Sequence, residues 1–385
     1  MVKTLTQYLS LAEKVNQAID QELAQIQSDT GKLREFLASS SNRQRFIPAV
    51  AIDDIGFYKD ILFNRYFSKS VESQADFDLL ESLIEIEGDT SFLNDLGKKP
   101  FLFTTFHFGP IGAISQWLIR KGFELTMLTI SEGVSKEMLH NEAPTQFDVL
   151  HADSPDVMLQ MMYRLKEGKS LKVTVDGMWG VTKDDSRKTF AQIKFLDHTF
   201  LCKKGIPLLS YASGVPIIPV VARRDPLGKI VLRFGSPIQP SRSIPKEKFV
   251  TDTLQNCYDF FTDILRKHPA QWEFWFIMDQ LIEKPPMVIE VNKSALKKMV
   301  LEQFLKLFQK GKYRFNMEKY EVCRLNEQKA YLFDRNTFGC FGVSKNLSGY
   351  LKALPSEGRS RKIVKKHLKN GLLQDLLSRG VLVKV

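Results

Sequence analysis

The segment His107-Phe108-Gly109-Pro110 is the clearest chemical signal in the 385-residue chain. It follows an apolar run, Phe101 to Phe106, that reads as a buried strand, and precedes an amphipathic stretch, Ile111 to Lys121, that reads as a helix. A histidine at such a junction stands at the rim of a cleft, beside the unpaired N–H groups of the helix's first turn. These two features suit acyl transfer. The imidazole takes a proton from an attacking hydroxyl or amine, and backbone donors hold the oxyanion that forms. An ordinary imidazole pKa of roughly 6.5 leaves the base substantially neutral at cellular pH. A further strand, Leu171 to Val175, ends at Asp176-Gly177 and brings a carboxylate to the same end of a parallel sheet. Taken alone, a histidine after a strand also fits a core or capping role.

The elements that must position these groups alternate in type. Strands are expected at Leu125 to Ile130, Phe147 to His151, Pro216 to Arg223 and Lys229 to Phe234, and helices at Val157 to Lys166, Pro207 to Ala212 and Thr251 to Lys267. This pattern predicts an α/β domain over residues 96–284, with a mostly parallel central sheet flanked by helices. Residues 1–95 read as an N-terminal helical region, with amphipathic spacing at Phe57 to Phe67 and Ala75 to Ile86. The pair Pro285-Pro286 marks a boundary, and residues 285–385 read as a small α+β domain. In it, Asn292 to Phe308 is expected to be helical, Tyr320 to Leu325 and Lys329 to Phe333 form a hairpin, helices cover Asn346 to Leu354 and Lys362 to Leu377, and Val381 to Val385 closes as a strand.

An apolar fraction of 43% with 28 Phe supports a sizeable core and excludes disorder as the default state. Cys202, Cys257, Cys323 and Cys340 are widely spaced and form no CxxC pair, so they are expected to be reduced thiols of a cytoplasmic protein. No metal site is expected: His140 and His151 lack suitable neighbours, and Glu132 and Glu137 complete no ligand set. No transmembrane helix or secretory leader is visible, which leaves surface contact with an inner membrane as the expected mode if the protein meets one. The net charge of +11 is uneven. From Pro285 onward there are 21 Lys and Arg against 8 Asp and Glu, whereas the rest of the chain has 34 against 36. The basic C-terminal region is therefore the part expected to meet an acidic partner, or else it is a solvated surface.

Four segments occur in an order that resembles the lysophospholipid acyltransferase superfamily, and within it the lipid A late-acyltransferase branch. They are HFGPIGAISQWLIRKGFELTML, LKVTVDGMWG, IKFLDHTFLCKKGIPLLSYASGVPIIPVVARR and HPAQWEFW, spread over roughly residues 95–280. The resemblance implies direct acyl transfer from an acyl carrier protein or acyl-CoA thioester, with no covalent enzyme intermediate, metal or other cofactor. It implies His107 as general base and Asp176 beside it in the cleft. Phe108, Gly109, Gly112, Asp197, His198, Lys203, Lys204 and Gly205 are then candidates for substrate binding, with Gly205 opening a helix and the two lysines near its N-terminus. Lys203 and Lys204 also fit an ordinary exposed loop, His198 with Asp197 a structural pair, and Trp272 and Trp275 packing roles.

Two departures qualify the resemblance. The family's acid, five residues after the histidine, is Gly112 here. Three readings follow: Asp176, Asp197 or Glu132 supplies the carboxylate, His107 acts alone on an easier nucleophile, or the domain binds without turnover. The arginine that grips acceptor phosphate in that branch is missing from LTISEGVSKEM, as is the branch's N-terminal membrane helix. Both changes favour a soluble acceptor, a peptide among them, over a phosphorylated membrane lipid.

From about Tyr320 onward the chain resembles the PqqD-like winged-helix fold, a leader-peptide recognition module, through its two-strand start and its LLSRGVLVKV ending. The resemblance implies capture of an acidic peptide by strand addition. Lys362, Lys365, Lys366 and Lys369 on one helix could instead meet nucleic acid phosphates, but interleaved aromatic and base-reading side chains are not evident, so nucleic acid ranks second. The leading expectation is an acyltransferase acting on a hydroxyl or amine of a soluble acceptor. A peripheral lysolipid acyltransferase and a catalytically silent acyl- or peptide-binding protein are the alternatives.

Overall fold

A computed structural model of the chain describes residues 4–26, 29–48, 53–70, 76–129, 147–176, 189–225, 228–278, 311–324, 330–337 and 339–385. It divides into two compact units, Met1–Gln25 with Phe57–Phe274, and Ile26–Gly56 with Trp275–Val385. In chain order the N-terminal helices are α1 (Leu5–Gln25), α2 (Thr30–Phe46), α3 (Asp54–Ser70) and α4 (Phe77–Leu83). Residues 26–56, which by sequence belong to the N-terminal helical region, thus group with the C-terminal unit.

The first unit is α/β. Its seven strands are β1 (Ile84–Gly88), β2 (Leu102–Thr105), β3 (Leu125–Thr129), β4 (Phe147–His151), β5 (Ser170–Thr174), β8 (Ile217–Arg224) and β9 (Ile230–Phe234), and the hairpin strands β6 (Phe190–Phe195) and β7 (His198–Lys203) intervene. The sheet order is β1-β9-β8-β2-β5-β3-β4. Every neighbouring pair is parallel except β8 with β9. Between the strands lie α5 (Ile111–Arg120), α6 (Val157–Lys166) and α7 (Gly205–Ser213), and α8 (Lys246–Leu265) follows β9. The helix expected from Ala75 to Ile86 stops at Leu83, and its last residues begin β1 instead. Ile84-Glu85-Ile86-Glu87 alternates with period two, and Glu87 pairs with Arg223 at 2.9 Å while Glu85 pairs with Lys229. Helix α8 begins at Lys246, five residues before the expected Thr251.

Strand β2 is buried along its whole length because both sheet faces are covered. Phe101 and Phe103 join Phe92, Phe123 and Phe234 in a core with α5, whereas Leu102 packs with Leu171, Val173, Met161, Leu165 and Leu209 on the opposite face. A third group of rings, Phe106, Phe108, Phe195, Phe200, Tyr258, Phe261 and Trp272, gathers where β2 ends. There Phe106 stacks on Phe261 at 3.9 Å. The β6–β7 hairpin is fastened to α8 by Gln255, which accepts from Lys194 N at 2.8 Å and donates to Lys194 O at 2.9 Å. Among the described residues no helix is long and apolar enough to cross a membrane.

The second unit contains two antiparallel three-stranded sheets. One is the meander of β11 (Tyr320–Arg324), β12 (Ala330–Asp334) and β13 (Gly339–Val343). The other has the order β14 (Arg359–Ser360), β10 (Lys312–Phe315), β15 (Leu382–Lys384). Helix α2 opens on the Asp29 carboxylate, which accepts from Gly31 N and Lys32 N at 2.9 and 3.1 Å. Helices α9 (Lys345–Lys352), α10 (Arg361–His367) and α11 (Asn370–Ser378) complete it around Tyr313, Val322, Leu332, Leu351, Val364 and Val381. The expected hairpin has a third strand, and the single helix expected over Lys362 to Leu377 is two. Leu368 and Lys369 are extended, with ψ of 127° and 148°, so Lys369 precedes α11 rather than sharing a helix with Lys362, Lys365 and Lys366. The segment Asn292 to Phe308 lies outside the described residues.

Phe103 is fully buried and meets Phe92 and Phe123 edge-on at 5.6 and 5.4 Å. Phe103→Ala is expected to destabilise the first unit by about 3–5 kcal/mol, read as a lowered urea midpoint in equilibrium unfolding.

Candidate active site

The chain leaves β2 at Thr105 and turns through His107-Phe108-Gly109-Pro110 into α5, whose N-cap, Pro110, offers no side-chain acceptor. The turn is held from outside by residues 271–273. Gly109 N donates to Gln271 O at 2.8 Å, Glu273 N donates to His107 O at 3.0 Å, and Phe108 bridges Trp272 in antiparallel fashion. Gly109 has φ +55°, and a Cβ there would lie 2.4 Å from Ala222 O and 2.9 Å from Gln271 Oε1. Only glycine fits both the left-handed conformation and the close approach of the β8 backbone and the Gln271 side chain.

Asp176 arrives from the adjacent strand, two residues beyond β5. Its side chain is fully buried and accepts three hydrogen bonds: His107 N to Oδ2 at 2.9 Å, His107 Nδ1 to Oδ1 at 2.8 Å, and Trp272 Nε1 to Oδ2 at 2.8 Å. With Nδ1 donating to the carboxylate, the lone pair of the imidazole lies on Nε2. The ring stacks on Phe274 at 4.3 Å and keeps 26% of its side chain exposed. Burial pulls the imidazole pKa down, but the charge and hydrogen bond of Asp176, aided by Glu273, outweigh that and raise it above its ordinary value. Of the carboxylates considered as partners for His107, Asp176, just beyond the neighbouring strand, is the one in contact with it.

His107, Phe108, Gly109, Gly112 and Asp176 come together where β2 and β5 end. Gly112 is exposed in the first turn of α5, and a Cβ there would meet nothing within 4 Å. Asp197 does not join this group. It occupies the tip of the β6–β7 hairpin with φ +64°, its side chain is 89% exposed, and its carboxylate lies 3.5 Å from Arg266. The pairing expected between His198 and Asp197 is replaced by a contact of His198 Nδ1 with Leu196 O at 2.7 Å. Lys203 ends β7, Lys204 pairs with Glu247 at 2.8 Å, and Gly205 opens α7. Glu132, Glu137 and His140 lie outside the described residues.

Three contributors were not legible as such. Trp272, expected only to pack, donates to Asp176, and Phe274 forms one wall of the imidazole. Lys172, in mid-strand on β5, is buried and donates to Ser115 Oγ at 2.6 Å and Ile111 O at 3.2 Å, and burial lowers its pKa to about 8. A lysine between Leu171 and Val173 in a buried strand was the available signal for that last residue. Cys202 and Cys257 carry free, buried thiols, and burial pushes the Cys257 thiol up to about 12.

Asp176→Asn is expected to lower the His107 pKa, measured by side-chain NMR titration. Because the folded-state value is raised, the ion pair stabilises the protein fully below the unfolded value of roughly 6.5 and loses that contribution as pH rises through the folded value. The stability gap between wild type and variant should therefore narrow on going to alkaline pH.

Comparison of the chain with protein-family models and with curated proteins returns no match.

Proposed function

We propose that the chain is an acyltransferase of the lysophospholipid acyltransferase type, moving a fatty acyl group from an acyl carrier protein or acyl-CoA thioester to a soluble hydroxyl or amine at the cytoplasmic side. The supporting observation is the His107–Asp176 pair, 2.8 Å apart at the carboxyl end of a mostly parallel sheet. In this reading Nε2 takes the proton of the acceptor O–H or N–H while the acceptor atom bonds to the thioester carbon. The carbonyl electron pair moves onto oxygen, and the first turn of α5 supplies donors for that oxyanion. Collapse reforms the carbonyl and breaks the C–S bond, and the proton on Nε2 passes to the departing thiolate. Asp176 balances the imidazolium in between and fixes its orientation, while Trp272 holds the other side of the carboxylate. Nothing is oxidised or reduced, and the thioester is a co-substrate rather than a resident cofactor.

The test is thiol release from palmitoyl-CoA and palmitoyl-acyl carrier protein, with water, a lysine-containing peptide and a lysophospholipid offered as acceptors. Thiol release by wild type that falls by about 10³-fold or more in His107→Ala is the expected outcome. Identical behaviour of the two proteins with every donor and acceptor leaves a silent binding protein. Transfer to the lysophospholipid alone makes it a peripheral lysolipid enzyme.

For the C-terminal unit we propose a winged-helix-like, PqqD-like module that binds an acidic peptide. Two observations support it. The order α9, β14, α10, α11, β15, with β10 between the two strands, suits a winged helix. Exposed Arg359, Lys362, Lys365, Lys366 and Lys369 also carry positive charge around α10, whereas Glu318, Glu321, Asp334 and Asp375 are each engaged with a nearby base. Replacing Lys362, Lys365 and Lys366 by Glu in the full chain should abolish binding of a fluorescent poly-Glu-containing peptide in anisotropy titrations. Unchanged affinity, or preference for an RNA oligonucleotide over the peptide, rejects this assignment.

A further inference from the structure

We propose that Lys172 is a positioning residue of the His107 site, strengthening the backbone N–H of Gly112 as an oxyanion donor by binding the carbonyl of the same peptide group. Its chemical purpose rests on the acyl-transfer reading, but its geometry does not. Strand β5 contributes twice to the turn after β2: Asp176, just past its end, holds His107, and Lys172, inside it, holds the start of α5 through Ile111 O and Ser115 Oγ. Ile111 C=O and Gly112 N–H belong to one planar amide. A cation on the carbonyl oxygen draws electron density from the nitrogen and makes its N–H a stronger donor.

The N–H it would strengthen is available. In the first turn of α5, Ile111 N donates to Gly109 O and Ala113 N to Pro110 O, while among the described residues Gly112 N has no acceptor. Among the described residues a Cβ at Gly112 would meet nothing within 4 Å, so the glycine sets no side chain beside this N–H.

The surroundings of Lys172 are otherwise unsuited to a charge. Phe103 on β2 and Met127 on β3 are its register neighbours, Ser115 of α5 donates onward to Met127 Sδ at 3.3 Å, and no carboxylate forms an ion pair with it among the described residues. Its charge acts on His107, which also feels Asp176 and Glu273. A methionine would fill this position without desolvating an ammonium. A cation retained at such cost, on this one carbonyl, points to use rather than packing. Its lowered pKa, about 8, means that the ammonium and its effect on Gly112 fade as pH rises past that value.

Labelling the full chain with [1-¹³C]Ile and [¹⁵N]Gly leaves Ile55–Gly56 and Ile111–Gly112 as the doubly labelled peptides. The ¹⁵N signal of Gly112 in wild type should titrate with a midpoint near that of the lysine, about 8, while Gly56 does not follow. In Lys172→Met the Gly112 signal should be flat. A Gly112 signal that ignores pH in wild type overturns the proposal, and this arm holds even if Lys172→Met fails to fold. In turnover of palmitoyl-CoA, Lys172→Met should lower kcat by about 10–100-fold with KM within about twofold, remove the alkaline fall in kcat, and be partly rescued by Lys172→Arg. Its melting temperature at neutral pH should equal or exceed that of wild type. A variant that loses stability and raises KM, with the alkaline limb intact, shows a structural lysine and overturns the proposal. Absence of wild-type turnover alongside a titrating Gly112 signal rejects acyl transfer but not the lysine–amide contact.

Discussion

One buried carboxylate joins the parts of the first unit that do not otherwise meet in sequence. Asp176 accepts hydrogen bonds from the backbone and ring of His107, at the end of β2, and from the indole of Trp272, on the segment that follows α8. Hydrogen bonds to a charged group are worth roughly 1.5–3 kcal/mol each, and a buried carboxylate left without them is costly. The aromatic group around Phe106, Phe195, Phe261 and Trp272 keeps water from competing for these bonds and fixes the indole. Orientation of the imidazole therefore depends on three chain segments being in place at once. That interdependence suits a catalytic base, whose ring must not rotate away from its orienting acceptor.

Much of this arrangement was legible because it follows from local pattern. Phe101-Leu102-Phe103-Thr104-Thr105 can only be a two-sided buried strand, and Gly122 and Gly168, both at positive φ, end helices where the apolar periodicity stops. Proximity of His107 and Asp176 followed from both standing at the carboxyl ends of strands, and β2 and β5 are direct neighbours. What could not be read was long-range. Trp272 looks like any other core aromatic until the return of residues 271–273 along the His107 turn is known. That Asp197 points away was hidden too, because its two-residue hairpin turn has Leu196 and Asp197 at positive φ, without the usual glycine or asparagine. Strand β1 was hidden by its adjacency to α4, where a short Ile-Glu alternation fits either period. The break at Leu368–Lys369 itself carries neither glycine nor proline, but Asn370-Gly371 follow directly and were the local signal for it.

Two buried charged residues reach the site by way of β5: Lys172 within the strand and Asp176 two residues past its end. Each is satisfied by hydrogen bonds rather than by the other. An apolar residue in place of Lys172 would avoid desolvating an ammonium, whereas one in place of Asp176 would leave the buried indole N–H of Trp272 without its acceptor.

The order of the sheet has a consequence for how the chain is made. Strand β1 pairs with β9, Ile84 opposite Ile230, and β9 in turn pairs antiparallel with β8, which delivers that partner. Until Phe234 has emerged from the ribosome, Ile84 and Ile86 have no ladder to join, and because β1 ends the sheet order one side of it stays an edge afterwards. The interleaved Glu85 and Glu87 are then a protection during synthesis: like charges on every second residue discourage two nascent chains from pairing through this strand. The same glutamates later become partners of Lys229 and Arg223 once the native neighbours arrive. One short acidic repeat thus serves first to keep strangers away and afterwards to mark the correct place.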